Sequence, residues 1–321
     1  MTVDGPTASR RDPTLDVARG LAVLLMVWVH FVPDEGPWTS VWGLDALPAA
    51  LFTMLVGVSA AVGPAKSGRQ LLRRVAALCC IGLPFWVWVW SNDILLPIAC
   101  MSVAAAWCRA HPARTWCALA LLCVAVPCAT ELWGGYAWTD IREDGTHEAN
   151  HSPGWHTLRY FLLDGAYPLL PWAAFPLLGL RFASARGDRP RLRRWLFGGL
   201  LAAAVGLLLD RFGDAAAGGF AVHLDVTWQP TSLPFLLLWG GLASASLASL
   251  YLLGVRAAAV AAVGRRSLQH YLAHLVLVFW PMTYRWPEED WSWGTGAGVA
   301  LGYAAFALIW TMPRVRVAAA D

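Results

Sequence analysis

The chain has 321 residues, of which 58% are hydrophobic and only 14% charged, with a mean hydropathy of +0.50. Water-soluble globular proteins carry about 25% charged residues, so this composition excludes a soluble domain, a collagen-like chain and a disordered tail alike. With 24 basic and 21 acidic residues, net +3, nothing points to a nucleic-acid partner, and the unbroken apolar runs exclude a transmembrane barrel, whose strands alternate polar and apolar residues.

A polar arm at 1–14 precedes LDVARGLAVLLMVWVHFV. That run is too long for a signal peptide and has no small-residue cleavage site behind it, so it reads as a retained first helix. Apolar segments follow in turn, giving ten near 15–32, 41–63, 75–90, 94–108, 115–133, 161–182, 195–210, 231–253, 267–283 and 293–312. A helical span needs about 20 apolar residues, and AAAVAAVG at 257–264 is too short to cross. The expected architecture is an all-α, polytopic bundle of about ten transmembrane helices. It forms a single domain at 15–312, with the arm and a tail at 313–321 both cytoplasmic.

The basic residues support that orientation. With the N-terminus inside, every lysine and arginine except Arg142, Arg159, Arg211 and Arg285 falls on the cytoplasmic side, as the positive-inside rule requires. The 20 tryptophans gather near segment ends, as in an interfacial belt, and any left over offer rings on which a sugar can stack. The seven cysteines contain no CxxC and lie in or beside apolar segments. They read as packing residues, and no metal is expected.

The first helix carries Asp16 and Arg19 near its start and His30 near its end. Eleven residues is close to three whole turns, so Arg19 and His30 project from nearly one face, about 16 Å apart along the axis. Ionisable groups at membrane depth are costly and mark polar paths. The bland alternative is an Asp16–Arg19 pair at the interface, with His30 in water.

The stretch RRDPTLDVARGLAVLLMVWVHF resembles the opening of the acyltransferase-3 family of integral-membrane acyltransferases, whose hallmark is an Arg, ten residues and a His on the first helix; Arg19 and His30 fit it. Together with LFTMLVGVSAAV at 51–62, DILLPIACMSV at 93–103 and YPLLPWAAFPLLGL at 167–180, it resembles the bacterial relatives of heparan-α-glucosaminide N-acetyltransferase even more. SLQHYLAHLVL at 267–277 is similar to a late helix of that group, while the middle loop and 195–230 fall outside the likeness. One departure stands out. In the eukaryotic enzyme the matching end of the first helix looks like an Asn with the presumed catalytic His in the following loop, whereas here the His is at position 30 and 34–44 contain none.

The resemblance implies a multi-pass protein of a bacterial inner membrane. It would move an acyl group, typically acetyl, from a cytosolic acyl-CoA to a hydroxyl or amine of a sugar or other small-molecule or glycan acceptor near the outer face. Such a nucleophile must lose a proton, and histidine is tuned for that near neutral pH, so His30 is the expected general base. Asp34 or Glu35 would orient its ring if the helix continued past Pro33. Arg19 is suited to hold the donor or a structural carboxylate. Phosphates of the donor need cations, offered by Arg73 with Arg74, by Arg191, Arg193 and Arg194, and by Arg265 with Arg266, although topology alone would also explain these clusters. No cysteine or serine is placed beside His30 by sequence, which favours direct transfer over an acyl-enzyme, with an acyl-histidine route as the alternative.

His270 and His274, four residues apart, share a helix face. Without the glutamate of HExxH they are not a zinc-protease pair; they hydrogen-bond across helices or line the transfer path. Asp164, Asp93 and Trp172 are the expected acceptor-site residues, under a lid at 134–157 carrying His147, His151 and His156. The rival reading is a proton-coupled transporter or flippase that uses Asp16, Arg19, His30 and His274 as its pathway, yet 15–160 and 161–312 show no repeat.

Overall fold

The computed structural model describes residues 11–32, 46–64, 67–85, 93–109, 111–126, 158–216, 231–276 and 292–311, and every regular element among them is helical. In chain order the α-helices are α1 (Pro13–Phe31), α2 (Leu47–Val62), α3 (Gly68–Pro84), α4 (Leu95–Cys108), α5 (Pro112–Ala120), α6 (Leu169–Trp172), α7 (Ala174–Phe182), α8 (Arg189–Ala216), α9 (Leu233–Leu253), α10 (Ala258–Arg265), α11 (Ser267–His274) and α12 (Trp293–Thr311). Four of them, α1, α8, α9 and α12, are long and apolar enough to cross a membrane. They fall on the first, seventh, eighth and tenth segments expected from hydropathy. Shorter apolar helices cover Leu47–Val62, Leu95–Cys108 and Leu169–Ala185. On α8, Leu201 is 66% exposed and Phe197, Leu207 and Leu208 are exposed with it. A helix that turns leucines outward along its length is one built to face lipid.

The chain divides into two compact units, one drawn from Ala49–Leu252 and the other from Arg10–Pro48 with Leu253–Asp321. In the first unit, helices approach to backbone contact wherever glycine removes the side chain. A Cβ on Gly57 of α2 would strike the carbonyl of Pro176 in α7, and one on Gly179 of α7 would strike that of Met54 in α2. Gly199 of α8 and Gly241 of α9 face each other's carbonyls in the same manner. Close approach through small residues is how helices associate where lipid is as apolar as leucine.

Helix starts differ from the hydropathic segments because capping, not hydropathy, sets them. The third segment was expected from 75, yet α3 begins at Gly68, where Ser67 and Gln70 form a reciprocal capping box. Likewise α8 begins at Arg189 rather than 195. Asp188 accepts a hydrogen bond from the Arg191 amide at 3.0 Å and pairs with the Arg191 guanidinium at 2.9 Å. Arg189, Arg191, Arg193 and Arg194 therefore ride on a helix, not a loop.

The sixth segment is not one helix. A π-helical turn at Tyr160–Asp164 closes with the Gly165 amide donating to the Tyr160 carbonyl at 2.8 Å. Extended backbone then leads through Pro168 into α6 and α7. Proline disfavours helical geometry in the residue before it, and Gly165 and Pro168 together supply the break.

In the second unit, α1 starts from Asp12, whose carboxylate accepts from the Thr14 amide at 3.0 Å, with Pro13 at the first helical position. Its tightest partner is α10, the segment too short to span. Gly20 lies against the Val260 carbonyl and Gly264 against the Asp16 carbonyl. At the far end of α1, Trp28 meets Trp293 of α12 edge-on, ring centroids 6.4 Å apart.

Candidate functional site

Two polar constellations sit on α1, one at each end. At its start the Asp16 carboxylate, 2% exposed, is clasped by two guanidiniums. Arg11 reaches it at 2.7 and 3.2 Å and Arg19 at 2.8 Å. Of the two roles expected for Arg19, holding a carboxylate is the one its geometry displays. The buried charge is thereby paired twice, which offsets the loss of its hydration.

At the other end, His30 Nδ1 lies 3.0 Å from His274 Nε2, with the rings inclined by 22° and centroids 5.2 Å apart. α10 runs antiparallel to α1, with Val260 against Gly20 and Gly264 against Asp16; the chain then turns at Arg266 into α11, which brings His274 level with His30. His274 is wholly buried, and its Nδ1 lies 3.3 Å from the His270 carbonyl oxygen. Tyr303 of α12 donates its hydroxyl to that same carbonyl at 2.8 Å. Tyr271 stands edge-on to His274 at 5.5 Å.

His270, also fully buried, turns elsewhere. Its ring stands edge-on to Trp310 at 5.2 Å and to Tyr303 at 6.4 Å, and its two nitrogens have no hydrogen-bond partner among the described residues. The guanidinium of Arg266 lies over the other ring of this group, 6.0 Å from the Trp310 centroid. Arg265 and Arg266 are both exposed, at the junction of α10 and α11.

The remaining sequence-derived residues belong to the first unit. Arg73 and Arg74 are exposed in the opening turns of α3. Arg74 and Arg109 border a cavity of about 120 Å³ with Ser59 and Ser102. Asp93 is buried just before α4, where its carboxylate accepts a hydrogen bond from the Leu95 amide at 3.0 Å. Asp164 ends the π-helical turn. Trp172 is a core residue: its indole donates to Thr231 at 3.0 Å, and Tyr167, Phe175 and Phe235 surround the ring. A second cavity, about 330 Å³ and chiefly apolar, lies between α7, α8 and α9, with Arg194 and Trp195 on its wall. The segment at 134–157 expected to form a lid, and Asp34 and Glu35, expected to orient His30, lie outside the described residues. No three metal-ligating side chains converge among the described residues.

The meeting of His30 with His274 was not legible as a contact, although both were singled out. Tyr303 was missed altogether; an isolated tyrosine in GYAAFALIW carries no signal beyond its apolar neighbours. The family model described as "Heparan-alpha-glucosaminide N-acetyltransferase, catalytic" matches residues 11–217. That range takes in α1 with Arg19 and His30, the α3 arginines, Asp93, Asp164 and Trp172, and ends before α9. No curated protein matches the chain. A match over more than half the sequence, on an all-helical chain with four helices fit to cross a membrane, identifies this protein as a member of the heparan-alpha-glucosaminide N-acetyltransferase catalytic family, an acetyltransferase family.

Proposed function

We propose that this protein is a membrane-integral acyltransferase that moves an acetyl group from cytosolic acetyl-CoA, or a related acyl-CoA, to a hydroxyl or amine of a sugar or small-molecule acceptor near the outer face, with His30 as the general base. The observation that carries this reading is the His30–His274 contact. A membrane-depth imidazole anchored through one nitrogen by a second, buried imidazole has the fixed orientation that proton abstraction needs. In the step itself the acceptor oxygen or nitrogen bonds to the thioester carbonyl carbon as His30 takes its proton. The tetrahedral intermediate then expels the CoA thiolate, which leaves with a proton. Direct transfer needs no acyl-enzyme.

In this reading Arg73, Arg74, Arg265 and Arg266 are the residues that supply positive charge for the phosphates of the donor. Arg19 acts through Asp16, keeping the start of α1 in register with α10. The residues assigned to the acceptor are Asp93, Asp164, Trp172, His270 and His274. Residues 15–312 work as one transmembrane domain, with the arm and the tail on the donor side of a bacterial inner membrane.

The test is release of free thiol by the purified chain from acetyl-CoA with glucosamine as the probe acceptor. Acceptor-dependent release that falls about 10²–10⁴-fold in His30→Gln, in protein that still elutes as a folded species, supports the reading. Release independent of acceptor, or untouched by the substitution, overturns it.

A further inference from the structure

Two contacts in series decide which nitrogen of His30 is basic. The first is between His274 Nδ1 and the His270 carbonyl oxygen at 3.3 Å. A carbonyl only accepts, so His274 Nδ1 carries the hydrogen. A neutral His274 then holds its lone pair on Nε2, the atom 3.0 Å from His30 Nδ1. The hydrogen in that second contact must come from His30 Nδ1, which leaves the lone pair of neutral His30 on Nε2. The opposite assignment would put a bare His274 Nδ1 against the carbonyl, lone pair against lone pair, at a site with no exposed surface. Tyr303 secures the start of this series, because its hydroxyl donates to the same carbonyl at 2.8 Å and so ties the α11 backbone to α12.

We infer that His274 is a positioning residue that locks His30 in its Nδ1–H tautomer and so presents Nε2 as the proton acceptor. The inference deepens the reading of His30 as base and rests on it for its catalytic consequence, though not for the tautomer itself. Free neutral histidine favours the Nε2–H form, so the lock works against the intrinsic preference of the ring. It also serves the chemical step. When Nε2 takes the acceptor's proton, the Nδ1–H···Nε2 contact becomes a charge-assisted hydrogen bond and strengthens as the imidazolium forms. His30 then returns that proton from Nε2 to the departing thiolate, and the pair is restored. The arrangement follows the logic of a base oriented by a third group, with an imidazole in the place a carboxylate often fills.

The experiment is nitrogen NMR on the full chain labelled with ¹⁵N-histidine in lipid nanodiscs, the His30 signals being assigned by their loss in His30→Gln. The expected result is a proton-bearing Nδ1 and a bare Nε2. His274→Gln keeps an acceptor oxygen near the place of the lost Nε2, so His30 should keep its tautomer and kcat should stay within about tenfold. His274→Leu fills the space without an acceptor; His30 should switch to Nε2–H, and kcat for acetyl transfer should fall on the order of 10²-fold with KM unchanged. An Nε2–H tautomer of His30 in the unsubstituted protein overturns the inference, as does a tautomer unmoved by His274→Leu. If instead His30→Gln transfers acetyl normally while the tautomer shifts appear as described, the base assignment falls and the positioning relation stands.

Discussion

At the scale of single residues, α1 holds two groups that water would otherwise claim, and the way each is satisfied decides what its loss does. Asp16 is enclosed and doubly paired, so Asp16→Asn leaves two guanidiniums facing an uncharged amide. Breaking a buried pair from one side is destabilising by about 3 kcal/mol, which a thermal unfolding curve in detergent should register as a drop of several degrees. Arg11→Gln should do far less, because its side chain is 61% exposed and Arg19 remains. The sequence made both Asp16 and His30 visible as ionisable groups in an apolar run. Their partners were legible to different degrees. Arg19 lies three residues from Asp16, within reach by helical spacing alone, whereas His274 reaches His30 only through tertiary packing that no local pattern encodes.

Among elements, α10 is the one whose role hydropathy could least convey. The alanine, valine and glycine at 257–264 were legible as too short to span, and the helix they form with Arg265 has only eight residues; what the pattern left out is that their smallness lets α1 come within backbone contact. Gly264→Ala would drive a methyl group into the Asp16 carbonyl, and forcing volume into a packed contact typically costs about 1–3 kcal/mol. The expected outcome is a lower melting temperature together with reduced thiol release, since both ends of α1 depend on this register. Gly298→Ala on α12 is the control. Nothing lies within 4 Å of a Cβ there, so the better helix former should raise stability by about 0.5–1 kcal/mol. Helix boundaries show the same division. The apolar cores of α3 and α8 were evident, but the capping box at Ser67 and the Asp188 cap extend each helix backwards through arginines that hydropathy assigns to loops. Gly165 and Pro168 break the sixth segment although their apolar neighbours read straight across.

For the molecule as a whole, the reading of a membrane protein came from composition and was sound, because no soluble chain can hide this much apolar surface. Four full-length helices agree with expected segments, and others are shorter or interrupted. Such discontinuity is tolerated in a bilayer only where protein or a cavity satisfies the freed backbone groups. The lipid-facing surface is open to a direct check. Leu201→Arg, near the middle of α8, should add roughly 2.5–3.5 kcal/mol to the apparent insertion free energy, read as loss of membrane integration in a glycosylation-reporter assay. Were α8 solvated by water, an arginine at so exposed a position would change nothing.

The partners in the imidazole contact are 244 residues apart in the chain. At about 5–20 residues per second of synthesis, the opening helix waits on the order of 10–50 s in the bilayer before the ribosome has even made the residue that will orient its ring. Throughout that interval the first helix must keep His30 in place by the packing of its own apolar residues, because the imidazole that will lie 3.0 Å away has not been made.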